Sequence, residues 1–164
     1  SILNKTIEGL SEQRIKDLVK MPKMNDPGHL AAMKIMGSVV GPSYQVSPDW
    51  FIILVCQQMN LSVRYGNVSN SAVAYVTFGL ILCGYVGGIY MWHRIGRLGL
   101  KLLNRFDVKE LEAKTYMPFY AMVHHWKFPL RNTLKFLLAG YINLRQHNMS
   151  AIAKKLCIIH SKRV

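Results

Sequence analysis

The longest uninterrupted run of apolar positions organises the reading of the whole chain. Between Arg64 and Arg94 lie 29 residues without a Lys, Arg, Asp or Glu, centred on Ala72–Trp92 (AVAYVTFGLILCGYVGGIYMW). A helix rises about 1.5 Å per residue and a hydrocarbon core is roughly 30 Å thick, so about 20 apolar residues suffice for a crossing. The pattern therefore predicts one transmembrane helix over 71–93, with Tyr75, Tyr90 and Trp92 as interfacial aromatics. A buried core helix is the competing reading, for which about 10 to 14 apolar residues are enough. No signal peptide is expected, because SILNKTIEGL lacks a basic region followed by an apolar run.

After Trp92 the helical period continues. Ile95, Leu98, Leu102, Leu103 and Phe106 fall on one side, while Arg94, Arg97, Lys101, Arg105 and Lys109 recur on another, so the crossing is expected to run on as an amphipathic stalk. Asp107 followed by Glu110 resembles a capping box that opens a short helix ended by Pro118. Pro129 suits the first turn of a further helix. There Leu130, Leu134, Leu137, Leu138, Tyr141 and Ile142 would form the apolar face, opposed by Arg131, Asn132, Lys135 and Asn143. A second crossing is not expected here, since Arg131, Lys135 and Arg145 would each cost about 2.5 to 3.5 kcal/mol near the bilayer centre. Ala151–Ile159 repeats the amphipathic pattern before a basic tail.

On the N-terminal side, proline and capping residues mark short helices. Asp26-Pro27 reads as a cap and a helix start, Gly37 as an end, Gly41-Pro42 as an extended connection and Ser47-Pro48 as a new start. Trp50–Val55 is a dense apolar patch, too short to span, that suits an interfacial helix or a buried contact. The expected fold is all-α: a single transmembrane helix continuing into an amphipathic stalk, short amphipathic helices on both sides and no compact independent domain. Residues 1–70 form a small helical membrane-peripheral cap, 71–93 the crossing and 94–164 a basic amphipathic helical region.

Charge adds an orientation. Residues 1–70 carry seven Lys/Arg and five Asp/Glu, whereas residues 93–164 carry fourteen and three, so most of the net +13 lies beyond the apolar run. The positive-inside rule then places the C-terminal half on the matrix, stromal or cytosolic side.

Candidate contact chemistry is of two kinds. Gly84 and Gly88 form a G-x-x-x-G pair, and Gly79, Cys83 and Gly87 extend it into a helix-packing notch for partner helices. Arg94, Arg97, Lys101, Arg105 and Lys109, with Arg131 and Lys135 further on, are candidates for lipid headgroups or an acidic partner. Bound phospholipid such as cardiolipin is the one cofactor-like ligand this suggests. The chain contains no G-x-x-x-x-G-K-[ST], G-x-G-x-x-G after a strand, H-E-x-x-H or G-x-S-x-G, so no catalytic residue is named and no enzyme activity is expected. Histidines 93, 124 and 125 are the one potential haem or metal set, disfavoured because neighbouring helical residues point about 100° apart. Cysteines 56, 83 and 157 have neither disulfide nor zinc spacing and suit reduced thiols or small apolar residues. Asn60, Asn67 and Asn148 begin N-glycosylation patterns that read as chance matches.

One crossing, a basic balance, amphipathic arms and no active-site signature together suggest a non-catalytic, supernumerary subunit. The expected setting is a multisubunit mitochondrial inner-membrane complex such as ATP synthase or a respiratory chain assembly, with other membrane subunits and anionic lipids as partners. RNA contact is less expected, because the cations are spread along amphipathic faces, and a redox subunit holding haem or quinone is the third alternative.

Overall fold

Capping chemistry begins the fold where the sequence announces it. The computed structural model describes residues 1–10, 12–85, 87, 89–124, 127–129 and 131–146. A short helix α1 (Ile2–Glu8) and a second, α2 (Glu12–Asp17), lead through a 3-10 turn at Leu18–Lys20 to α3 (Pro27–Val46) and α4 (Pro48–Tyr65). The Asp26 carboxylate accepts from the His29 amide at 2.7 Å and the Ser47 hydroxyl from the Trp50 amide at 3.5 Å, each followed by a proline in the first turn.

The interruptions read at Gly37 and Gly41-Pro42 do not form; α3 runs through both. Gly37 stays helical because tertiary contact needs it small: a Cβ there would sit 2.9 Å from Nδ2 of Asn70, beyond the end of α4. Pro42 removes one amide from a long helix that packing holds in place.

The continuous rod predicted over 71–93 is corrected. The apolar run folds as two helices, α5 (Ser69–Tyr85) and α6 (Ile89–Phe106), with Gly87 between them at φ +68°, a left-handed conformation suited to glycine. They lie antiparallel, since a Cβ on Gly79 would meet Trp92 and Gly96, and one on Gly99 would meet Ala72 and Val76. No described helix is long and apolar enough to cross a membrane. At 17 residues, α5 is about 25 Å long. It is apolar nearly all round because protein surrounds it: Ala72, Ala74, Tyr75, Val76, Phe78, Ile81 and Leu82 are all buried. The stripe read on α6 exists, yet Ile95, Leu98, Leu102 and Leu103 pack within this protein rather than along an isolated stalk.

Beyond α6, Asp107 adopts φ +49° and caps nothing; the 3-10 turn Lys109–Leu111 begins after Val108 without a side-chain cap. Helix α7 (Glu112–Tyr116) widens into a π-helical segment, Met117–Val123, and α8 (Arg131–Gln146) returns along them. Pro118 sits in the first turn of the π segment instead of ending a helix. On α8 the inward stripe is Thr133 and Gly140, buried, with Phe136 and Leu137 half-buried, while Leu134, Leu138 and Ile142 of the predicted apolar face are exposed. Phe136 stacks on Tyr120 with ring centroids 4.1 Å apart, and this contact sets the helix rotation.

The described residues are all-α, with a single parallel bridge between Lys23 and Asn67. Three antiparallel helical hairpins, α3/α4, α5/α6 and α7 with the π segment/α8, stack side by side through α4 and α3 on α5 and α5 on the π segment. One apolar cluster takes Val55 and Met59 from α4, Tyr75 and Phe78 from α5, and Ile95 and Leu102 from α6. Each such fully buried side chain contributes about 1.5 to 3 kcal/mol. The core thus continues across residues 70 and 93, and the expectation of helices without a compact domain gives way to a shared hydrophobic interior.

Candidate functional site

The residues read as a packing notch part company in three dimensions. Gly79 faces inward, where a Cβ would lie 3.0 Å from the Trp92 carbonyl oxygen; it serves the close approach of α5 to α6 within this chain. Gly99 serves the same approach, where a Cβ would lie 2.5 Å from the Ala72 carbonyl oxygen, whereas Gly96 makes room for the π segment, since a Cβ there would come within 2.7 Å of the Phe119 ring. Gly84 is exposed with nothing within 4 Å, and Gly87 makes the turn. Cys83 is half-buried and borders both apolar clusters. Gly88 lies outside the described residues.

The predicted cations are spread over the surface. Arg97, Lys101, Lys109, Arg131 and Lys135 are exposed and Arg94 is half-buried. Arg105 is held by the fold itself, because its guanidinium donates to the carbonyl oxygens of Val19 at 2.5 Å and Met21 at 3.0 Å and so ties the N-terminal segment to α6. Lys135 sits over the Phe136 ring at 4.9 Å and Lys127 over Tyr90 at 4.5 Å.

Histidine geometry holds a pairing that sequence order conceals. Nε2 of His93 on α6 and Nδ1 of His124, at the end of the π segment, lie 3.1 Å apart, so one ring donates and the other accepts. Phe119, Tyr120 and Phe128 surround them, with His124 and Phe128 stacked at 4.6 Å. Burial, the neighbouring His124 and the cations Lys127 and Arg97 push the His93 pKa down to about 4. Among the described residues no three His, Cys, Asp or Glu gather as metal ligands would. His125, His147 and His160 lie outside the described residues. His93 and His124 are 31 positions apart, so no local pattern marks them as partners.

The sign of the linkage follows from that lowered value. The unfolded chain takes up the His93 proton near pH 6.5 and the folded chain near 4, so stability is full above about 6.5 and falls as pH drops through that window. Urea titrations of the wild type at pH 7 and pH 4.5 are expected to differ by up to about 2 kcal/mol more than those of His93→Asn, which has no imidazole to protonate. Equal differences for the two proteins would disprove this coupling.

The thiols of Cys56 and Cys83 are free and burial raises both pKa values, against a smaller lowering from the Thr6 hydrogen bond at Cys56. Cys157 is outside the described residues. Asn67 is fully buried and engaged in hydrogen bonds, which agrees with reading its glycosylation pattern as chance; Asn148 lies outside the described residues.

Two surface features had no local sequence signal. The first is a groove of about 230 Å³ where α3, α4, α5 and the π segment meet, lined by Tyr44, Phe51, Ile52, Leu80, Tyr85 and Met122. The second is the outer side of α3, where Ile35 is 64% and Val46 85% exposed. Comparisons with protein-family models, with curated proteins and with solved structures give no match.

Proposed function

We propose that this chain is a non-catalytic structural subunit that presents the faces of stacked helical hairpins to neighbouring proteins in a larger assembly. The observation that carries this is the exposure of apolar helix faces at both ends of the stack. Ile35, Val39 and Val46 are exposed on α3, and Leu134, Leu138 and Ile142 on α8. Apolar side chains exposed at helical spacing are a feature of interaction surfaces on folded proteins. Stacked hairpins suit such a role, because each contacts mainly its neighbours and leaves the flanks free for binding.

The test is purification of the tagged chain from its native source in mild detergent, followed by sizing and cross-linking. Elution well above 18.7 kDa is expected, with defined partners cross-linked near α3 and α8. Leu134→Glu with Leu138→Glu should reduce partner recovery at least about tenfold. Elution as a lone chain would refute the reading.

One observation favours the more specific reading of a mitochondrial inner-membrane subunit with cardiolipin at its surface, held peripherally. Arg131 and Lys135 are exposed on the same helix as Leu134, Leu138 and Ile142, the combination that lets an amphipathic helix lie in a bilayer interface. Flotation with vesicles containing cardiolipin, and its loss in Lys135→Glu, is the expected result under this reading. Equal recovery with neutral vesicles would remove it.

A further inference from the structure

We propose that the solvent face of α6 is a track for the phosphate backbone of a single-stranded nucleic acid, with Tyr90 at its head as a stacking platform for a base. This face is separate from the exposed apolar sides of α3 and α8, so the inference goes beyond the structural role above and does not rest on it.

The helix itself draws the track. Among the described side chains of α6, the exposed ones are Tyr90, Arg97, Lys101, Asn104 and Arg105, with half-buried Arg94 between the first two. At about 100° per residue these positions fall within an arc of roughly 100°, which makes one straight stripe. Steps of three and four residues set the cations about 4.5 to 6 Å apart in helix rise, close to the spacing of successive phosphates along an extended strand. Arg105 is fixed at the far end of the stripe by the carbonyl oxygens of Val19 and Met21.

Charge along the helix has a single sign. No Asp or Glu occurs between Asp49 and Asp107, so α6 carries cations and no anion. Like charges three and four residues apart on a helix repel one another, and a bound polyanion turns that repulsion into attraction.

The class of partner follows from what this stripe lacks and from what heads it. The apolar side of α6, Ile95, Leu98, Leu102 and Leu103, is inside the fold, so among the described residues its solvent face exposes no aliphatic side chain to a bilayer. On α8, by contrast, Arg131 and Lys135 stand with exposed Leu134 and Leu138, the arrangement that suits an interface with lipid. Tyr90 is 74% exposed, and the Lys127 ammonium lies 4.5 Å from its ring centroid. An aromatic ring bordered by cations takes a base by stacking while the cations take the phosphates. Acidic protein surface is matched by the cations alone; the ring in line with them is the feature that a base uses.

The test is fluorescence anisotropy of a labelled oligouridylate of about 20 nucleotides, longer than the stripe, titrated with the purified full chain over a salt series. Saturable micromolar binding is expected at roughly 50 mM salt, with log K falling against log salt at a slope of about −2 to −3, as three or four phosphate contacts require. Arg97→Gln with Lys101→Gln should weaken binding at least about tenfold and make the slope shallower by about 1.4. Tyr90→Ala should weaken it at least about fivefold with the slope unchanged, and Tyr90→Phe should bind as the wild type does, the signature of stacking. Arg131→Gln with Lys135→Gln, on α8, removes the same charge and should leave binding within about twofold. All these side chains are exposed, so helical circular dichroism should not change. No binding at low salt, equal losses from the α6 and α8 pairs, or wild-type binding by Tyr90→Ala would overturn the proposal. Flotation with anionic vesicles that the α6 pair abolishes would assign this face to lipid and overturn it as well. Absence of RNA binding in a chain still recovered with defined protein partners from its native source would overturn this inference alone.

Discussion

Replacing Gly99 with leucine is expected to destabilise the fold by about 3 kcal/mol or more, a larger effect than leucine at Gly79 or Gly84. A Cβ at this position would lie 2.5 Å from the Ala72 carbonyl oxygen and 2.6 Å from Cγ2 of Val76. The carbonyl belongs to the hydrogen-bond ladder of α5 and cannot swing aside without opening it. Leucine would recover about 1 kcal/mol of helix propensity relative to glycine, too little to offset the clash. For a chain of this size the loss corresponds to a fall in Tm of roughly 6 to 12 °C, measurable by circular dichroism. Gly84→Leu is the control: its site is open, so the change should stay within about 0.5 kcal/mol. Were α6 an isolated stalk, Gly99 would face no α5 and the two substitutions would behave alike.

Asn67→Ala should cost about 2 to 4 kcal/mol, through lost polar partners rather than lost volume. Asn67 is fully buried between α4 and α5; its Nδ2 donates to the Leu18 carbonyl at 2.5 Å and its Oδ1 accepts from the Tyr75 hydroxyl at 3.1 Å. Its backbone extends the same tether, donating to the Pro22 carbonyl at 2.8 Å and accepting from the Met24 amide at 3.1 Å. Alanine leaves the Tyr75 hydroxyl and the Leu18 carbonyl without these partners inside the core. Tyr75→Phe removes one orphan, so the double variant should be less destabilised than the sum of the singles, by about 1 kcal/mol. Hydrogen exchange should also report loss of protection over Ile15–Met24. Unchanged protection there would mean that the N-terminal segment is held by other contacts, with Arg105 the first to examine.

The legible parts of this fold were those written in local chemistry. Asp26-Pro27 and Ser47-Pro48 start helices because a side-chain acceptor followed by a proline satisfies the exposed first turn wherever the helix lies. The α6 stripe from Ile95 to Leu103 was likewise visible, since a 3.6-residue period depends only on spacing. Gly37 and Gly41-Pro42 misled for the converse reason. Their reluctance to remain helical is real, but α3 is held by α4 and α5, and the contact between Gly37 and Asn70 is out of local view. The face of α8 was misplaced because leucine spacing alone ranked Leu134 and Leu138 above Phe136, whose stacking on Tyr120 decides the rotation.

Taken by itself, the amino-acid order determined that this chain is helical, that its cations gather after residue 93, and that one long uncharged segment must be removed from water. It did not determine what would remove it. Lipid and protein both exclude water, and 29 uncharged residues satisfy either. Tertiary structure made that choice by turning the segment at Gly87 and laying α6 back along α5, with glycines at 79 and 99 admitting the close approach. The same turn brings the sequence neighbourhood of His93 to meet His124 and leaves the outer side of α3 bare. Contacts between residues far apart in the chain have no periodic signature, so only the folded molecule discloses them.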